Sequence, residues 1–279
     1  MKKFVAGIVL SVSALALAAC GTSDEGSSNG SGNGSELKEL KVGASNTPHA
    51  VILEQAKPLL EEKGIELVIE EYTEYVMPNQ DLDSGDLDAN YFQHIPYLEL
   101  QIKDHGYDFV NAGGIHIEPI GIYSKKYKSL DELPDGATVL MSNSVADHGR
   151  VLSLLEAQGL IKLEEGIDKT AAEVKNILDN PKNLQFDADY DPALLPQMYE
   201  NEEGDIVVIN SNFAIDNGLN PIEDSIAIEG SESPYVNVIA VRAGDENKEE
   251  IKALVEVLHS KEIQDFIVEE WGGSVVPVE

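Results

Sequence analysis

The sequence predicts an α/β fold of two lobes, each a sheet flanked by helices, and three observations carry this. Short apolar runs alternate with amphipathic stretches along most of the chain, the pattern of helices packed on sheets. The segment able to fold, residues 37–279, is long enough for two lobes of ordinary size and too long for one small domain. The chain also ends in two helical stripes that must dock on something, so a chain that leaves its first lobe, builds a second and returns accounts for its order.

From the beginning, Lys2 and Lys3 precede an uncharged, mostly apolar run over 4–19 that reaches Leu17-Ala18-Ala19-Cys20. A helix needs roughly 20 apolar residues to cross the hydrocarbon core, and here a small-residue cleavage site follows a shorter run. Residues 1–19 therefore read as a removable secretion signal. Leu-Ala-Ala-Cys resembles the lipobox of bacterial lipoproteins, whose cysteine takes a diacylglycerol and becomes the mature N-terminus; the plainer alternative is a leader that happens to end in cysteine. Cys20 is the sole cysteine, so the exported protein has no disulfide. The expected address is the outer face of the cell membrane, held by lipid on Cys20. Gly, Ser, Asn, Thr, Asp and Glu dominate the stretch after Cys20, so residues 20–36 read as a lipidated cysteine and a flexible tether, with a reach of roughly 20 Å.

Strands are expected at 40–42, 65–69, 138–141, 206–209 and 236–241. Ile52, Leu53, Ala56, Leu59 and Leu60 share one helical face, entered through Asn46-Thr47-Pro48 with proline in the first turn. Thr170 and Glu173 form a capping-box pattern ahead of Val174, Ile177 and Leu178, and Ser129 and Glu132 repeat it. Ile251, Leu254, Val255 and Leu258 make one late stripe, and Ile263, Phe266 and Ile267 the next. Taking the extended segments 120–124 and 236–241 as the crossings gives residues 37–124 plus 236–279 to one lobe and 125–235 to the other.

Charge excludes one class of partner. Without Lys2 and Lys3 the mature chain has 17 basic residues against 51 acidic ones, a formal charge of −34, and no basic stripe for nucleic acid.

Arginine is scarce enough to be informative, occurring only at 150 and 242. Arg150 follows the polar loop Ser142 to Gly149 and is expected to open a helix carrying Val151, Leu152, Leu154 and Leu155. A guanidinium beside free N–H groups at a helix start suits a carboxylate, though a salt bridge to an acidic neighbour fits its position equally well. Arg242 ends an apolar strand and reads as structural. Tyr72-Thr73-Glu74-Tyr75 and Asn90-Tyr91-Phe92-Gln93-His94 bring aromatics that either wall an apolar pocket, with His94 as its polar edge, or belong to the core. Asp81, Asp83, Asp86 and Asp88 miss the helix-loop-helix calcium pattern because Phe92 stands where a closing glutamate is required. The six histidines lack His-Glu-x-x-His spacing, and no phosphate loop, Gly-x-Ser-x-Gly or cysteine nucleophile occurs. No metal, cofactor or enzymatic activity is expected. The rivals are a metal-binding lipoprotein using His94, His116 and the acidic loop, and a cell-surface hydrolase.

Tyr75-Val76-Met77-Pro78-Asn79, Asp88-Ala89-Asn90-Tyr91-Phe92-Gln93-His94, Tyr123-Ser124-Lys125-Lys126, Ser129 to Ala137, Asn180-Pro181-Lys182-Asn183-Leu184 and Ser233-Pro234-Tyr235-Val236-Asn237-Val238 occur in this order. Together they resemble the NlpA/MetQ family of methionine-binding lipoproteins over essentially the whole mature chain. The resemblance implies a two-lobed, type II periplasmic-binding-protein-like fold with its ligand in the cleft, serving an ABC permease and its ATPase as a monomer. It implies that Arg150 grips the ligand carboxylate, that Asn143 and Asn210, with Asn212 beside it, bond the head group, and that Tyr75, Phe92, His94 and His116 surround the side chain. One stretch departs from the family. Where the family reads Asn-Asp-Pro-Thr-Asn-x-x-Arg, this chain has Asn143-Ser144-Val145-Ala146-Asp147-His148-Gly149-Arg150. Asp147 adds an acceptor-only carboxylate to the head-group site. Methionine is the expected ligand, with D-methionine, a methionine-containing dipeptide or another apolar amino acid as alternatives.

Overall fold

The computed structural model describes residues 37–230 and 232–278. The predicted leader, Cys20 and the tether lie outside the described residues.

In chain order the strands are β1 (Lys38–Ser45), β2 (Ile65–Tyr72), β3 (Ala89–His94), β4 (Phe109–Ile117), β5 (Gly121–Tyr123), β6 (Thr138–Ser142), β7 (Lys162–Leu163), β8 (Ile177–Asp179), β9 (Gln185–Tyr190), β10 (Ile206–Ile209), β11 (Ala227–Ile228), β12 (Val236–Arg242) and β13 (Val276–Pro277). The helices are α1 (Val51–Glu62), α2 (Met77–Ser84), α3 (Ile95–His105), α4 (Val145–Ala157), α5 (Leu195–Glu200), α6 (Ser211–Asp216), α7 (Glu249–Leu258) and α8 (Lys261–Trp271). Among the described residues the strands form a six-stranded sheet ordered β13-β4-β12-β3-β1-β2, a five-stranded sheet ordered β11-β5-β10-β6-β9, and the small pair β7-β8. β1 runs parallel to β2 and β3, while β12 is antiparallel to β3 and β4.

Both larger sheets are covered on two faces, and strand alternation decides which residue faces which layer. Leu40, Val42, Ala44 and Tyr91 meet Ile52, Leu53, Ala56 and Leu60 of α1, together with Ile251, Leu254, Leu258, Ile263 and Ile267 of α7 and α8. The opposite face packs Val238 and Ala240 against Leu82, Leu87 and Leu98, from α2 to α3. In the second sheet Val139, Met141, Ile206 and Val208 bury against Val151, Leu152, Leu154 and Leu155 of α4. The intervening Leu140, Val207 and Ile209 turn to Leu195, Met198 and Phe213 of α5 and α6. The returning α7 and α8 thus cover the first sheet, as their apolar stripes require.

The crossings differ from the expected ones. Residues 121–123 pair as β5 with β10 and β11 in the second sheet, because Gly121 and Ile122 face Ile209 and Val208 across an antiparallel ladder. The chain therefore changes sheets over Glu118, Pro119 and Ile120, and returns between β11 and β12. Around 170–178 the capping-box pattern gives two short 3-10 turns, Lys169–Ala171 and Val174–Asn176, and then β8 rather than a helix. Leu178 is 62% exposed, so no apolar face is available to hold a longer helix there. The pattern at Ser129 likewise yields a single 3-10 turn, Leu130–Glu132. Asn46–Ala50 forms a π-helical turn in which Thr47 is extended, so α1 starts at Val51 and not at the proline.

Candidate functional site

The strand ends and helix starts that meet between the two sheets line a cavity bounded by Tyr75, Phe92, Gln93, His94, Tyr97, Glu118, Asp147, Arg150, Asn210, Ser211, Asn212 and Asn237. Its apolar wall comes from the first sheet's side. Tyr75 lies between β2 and α2, Phe92 on β3 and Tyr97 in the first turn of α3, and their ring centroids are 6.0 Å apart in each pairing. Phe213 of α6 closes on Tyr75 at 4.9 Å. Such a cage suits a slender apolar or thioether side chain, which gains from ring edges and faces alike.

His94 joins the wall to the polar end. It caps α3, its Nδ1 accepting the Tyr97 N–H at 3.1 Å, which leaves the proton on Nε2. Nε2 donates across the cleft to Asp147 Oδ1 at 3.1 Å, and Asn210 Nδ2 donates to Oδ2 at 3.3 Å. Burial works to raise the Asp147 carboxyl, but His94, the Arg150 charge and the Asn210 amide outweigh it and hold it below the ordinary range. A second bond spans the cleft from Tyr75 Oη to Asn212 Oδ1, at 2.6 Å.

Arg150 is 4% exposed and lies in the second turn of α4, not at its start, because the helix already begins at Val145, where nothing in the sequence blocks it. Gly149 lets the Lys169–Ala171 turn press against this helix, since a Cβ there would strike the Lys169 carbonyl. The guanidinium is tied to both inter-sheet crossings. Nη2 donates to the Glu118 carbonyl of the first, while Nε reaches Glu229 Oε2 of the second at 2.7 Å and Nη2 lies 2.6 Å from the same oxygen. The Tyr235 ring lies 4.8 Å from the guanidinium carbon. Among the described residues nothing accepts a bond from Nη1, and the same holds for the buried Asn212 Nδ2, while the buried Asn210 Oδ1 receives none. The cleft thus presents a buried unmet donor and a buried unmet acceptor beside a guanidinium and two carboxylates, an arrangement that complements a zwitterion.

The structure brings together seven of the nine residues expected at the site, and separates two. Asn143 is exposed; its N–H donates to the Tyr190 carbonyl at 2.8 Å, and it borders an adjoining groove rather than this cavity. The polar loop ends at Ser144, which turns Asn143 toward β9 and away from the cleft. His116 is fully buried behind the cleft, its Nδ1 against the Tyr91 hydroxyl and its Nε2 donating to Glu118 Oε1 at 2.7 Å. Gln93, Tyr97, Glu118, Ser211 and Asn237 were not anticipated. The alternation His116-Ile117-Glu118, two polar residues on one strand face ahead of a proline, was the available signal for Glu118; Glu229 had none.

One cluster has the composition of a metal site. His49, His116 and Glu118 offer ligand atoms within 4.8 Å of one another. His49 Nε2 lies 3.2 Å from Glu118 Oε1 and 3.1 Å from Asn237 Oδ1, so both imidazoles here act as N–H donors to oxygen. Neither His94 nor the acidic loop joins them: Asp81 accepts from the Tyr72 hydroxyl at 2.5 Å and Asp88 from the Lys41 N–H at 2.9 Å. No helix among the described residues is long and apolar enough to cross a membrane.

Two sheeted lobes meeting at a buried, charged cleft define the class, a two-lobed substrate-binding protein of type II. The chain belongs to the NlpA lipoprotein family, whose sequence pattern matches residues 40–279. It is 51% identical over 280 residues to the methionine-binding lipoprotein MetQ of Bacillus subtilis strain 168, covering 100% of this chain and 99% of that one. The solved structure of a YaeC-family lipoprotein from Enterococcus faecalis V583 is similar at 57% identity and a TM-score of 0.85, over 86% of this chain and 100% of the other. A nutrient-binding protein from Burkholderia cenocepacia, solved bound to methionine, is similar at 42% identity and a TM-score of 0.81, over 86% and 100% of the two chains.

Proposed function

We propose that this chain is the extracytoplasmic substrate-binding lipoprotein of an ABC importer, that it captures methionine between its lobes, and that it delivers the amino acid to a permease and its ATPase. The observation that carries this is the union of an aromatic cage with unmet donors and acceptors suited to a zwitterion. In this reading Arg150 Nη1 and Asn212 Nδ2 receive the carboxylate, Asn210 Oδ1 faces the ammonium, and Tyr75, Phe92 and Tyr97 hold the thioether. His94 and Asp147 act mainly by clasping the lobes. The similarity to a protein bound to methionine supports the ligand class, and an ABC transporter substrate-binding protein from Coxiella burnetii, similar at a TM-score of 0.80, supports the transport role. No covalent step is part of the reading.

The lobes would be residues 37–117 with 236–278, and 121–228, hinged at Glu118 to Ile120 and at 229–235. The mature protein would act as a monomer, held at the membrane by lipid on Cys20, with the tether keeping its effective concentration near the permease high. Mass spectrometry of the ligand released on denaturing freshly purified protein tests the cargo. Methionine of either hand is the expected result, and a methionine dipeptide, another apolar amino acid or a metal ion recovered in stoichiometric amount would replace it. Cys20→Ala tests the anchor: the protein should leave the cell surface for the medium, and retention at the membrane would contradict lipidation there.

A further inference from the structure

We infer that Glu118 is the counter-charge for the ligand's ammonium group, and that His49 and His116 are positioning residues that hold its carboxylate ready. The inference rests on the reading above, that an amino acid enters this cleft. Two buried carboxylates border the cavity, and the protein treats them differently. Asp147 has both oxygens engaged by side chains, one from His94 and one from Asn210. Glu118 is 5% exposed, lies on the first inter-sheet crossing, and takes both of its imidazole contacts on Oε1 alone, from His116 Nε2 at 2.7 Å and His49 Nε2 at 3.2 Å.

The side chains bonded to the Glu118 carboxylate supply hydrogen bonds without a formal positive charge. Burial pushes His49 down to about 4 and His116 down to about 3, so both rings are neutral donors at neutral pH. Arg150 is the cation in this end of the cavity, and it bonds the Glu118 carbonyl, not its carboxylate, while pairing with Glu229. Burial accordingly raises the Glu118 carboxyl above its ordinary range, whereas Asp147 is held below. The Arg150 charge offsets this burial only in part, and a buried carboxylate with no cation bonded to it is stabilised by an incoming one. The unpaired Asn210 Oδ1, on a residue 7% exposed, borders the same cavity and offers the ammonium a second acceptor. Arg150 Nη1 then faces the carboxylate of the same zwitterion, which places the two recognition poles in the second turn of α4 and at the crossing beside it.

The test is a calorimetric titration of the mature protein with L-methionine and with 4-(methylthio)butanoate, which keeps the side chain and the carboxylate and lacks the amine. The wild-type protein should bind the amine-free analogue far more weakly. Glu118→Gln should weaken methionine by about 10- to 100-fold, the range of a hydrogen bond to a charged group, while changing the analogue by less than about 3-fold. Asp147→Asn should weaken both ligands by the same factor, as loss of a clasp would. Equal loss of both ligands in Glu118→Gln, unchanged methionine affinity in that variant, or loss of amine discrimination in Asp147→Asn would overturn the assignment. If Glu118→Gln does not fold, the other two arms decide it: wild-type protein that binds both ligands alike overturns it. A wild-type protein that binds no methionine instead strikes the reading on which the inference rests.

Discussion

At the scale of single residues the account turns on how charge is buried. Arg150, Asp147 and Glu118 are buried and Glu229 half-buried within one polar cluster, and each has a partner. Arg150→Ala should therefore cost about 2–5 kcal/mol of methionine binding, part of it from leaving Glu229 and the ligand carboxylate without a cation. Calorimetry on the folded variant checks this, and unchanged affinity would remove Arg150 from the site. The histidines give a pH signature. His49 and His116 are held far below an ordinary histidine, so the unfolded chain binds more protons than the native one as pH falls from about 6.5 through 4 toward 3. Their stabilising effect is complete above pH 6.5 and is lost progressively below it, at up to about 1.4 kcal/mol per pH unit for each ring. Glu118, whose carboxyl is raised, takes up a proton on the same descent and opposes them as one group against two. Urea unfolding between pH 7 and pH 5 should show stability falling, and His116→Gln should flatten the slope. Much at this scale was legible beforehand, because aromatics and asparagines stand out where an otherwise acidic chain has few reasons to hold them. Asn143 was misplaced because the direction of its side chain depends on where α4 begins, which residue type alone does not reveal.

At the scale of elements, α4 is the critical piece, since it carries Asp147 and Arg150 on one side and Val151, Leu152, Leu154 and Leu155 in the core. Gly149 is the point where the Lys169–Ala171 turn touches its backbone. Gly149→Ala should force that turn away and lower stability by about 1–3 kcal/mol despite alanine's better helix propensity. Thermal unfolding measures this; a rise in Tm would mean that the turn moves freely. The strands expected from short apolar runs are present, as are the helices with sustained apolar faces, α1, α7 and α8. Elements failed where a local signal had no tertiary face to support it. The capping-box pattern at Thr170 and Glu173 leads into Leu178, which faces solvent, so only short turns form, and the box that does form joins Glu173 to Asn176. Pairing partners, which decide that residues 121–123 belong with the second sheet, are non-local and left no mark on the residues themselves.

At the scale of the whole molecule, two sheets grip one cavity, and two side-chain bonds reach across it, His94 to Asp147 and Tyr75 to Asn212. A ligand that touches both sides favours the closed arrangement by its differential affinity for it. The combined variant Tyr75→Phe and Asp147→Asn should shift the ligand-free protein toward open forms, with a larger radius of gyration by small-angle scattering and a weaker affinity for methionine. An unchanged radius would show that these bonds do not govern closure. Two lobes could be read from length and from the returning helices, whereas the closeness of Arg150 to both crossings could not, since it depends on residues 118 and 229, far apart in sequence.

The most direct test of the central claim is a calorimetric titration of L-methionine into mature protein that has been unfolded, dialysed free of ligand and refolded. Saturable binding of one methionine per chain, abolished or strongly weakened by Arg150→Ala, is the result predicted. Absence of binding by L- and D-methionine in protein shown to be refolded would contradict it.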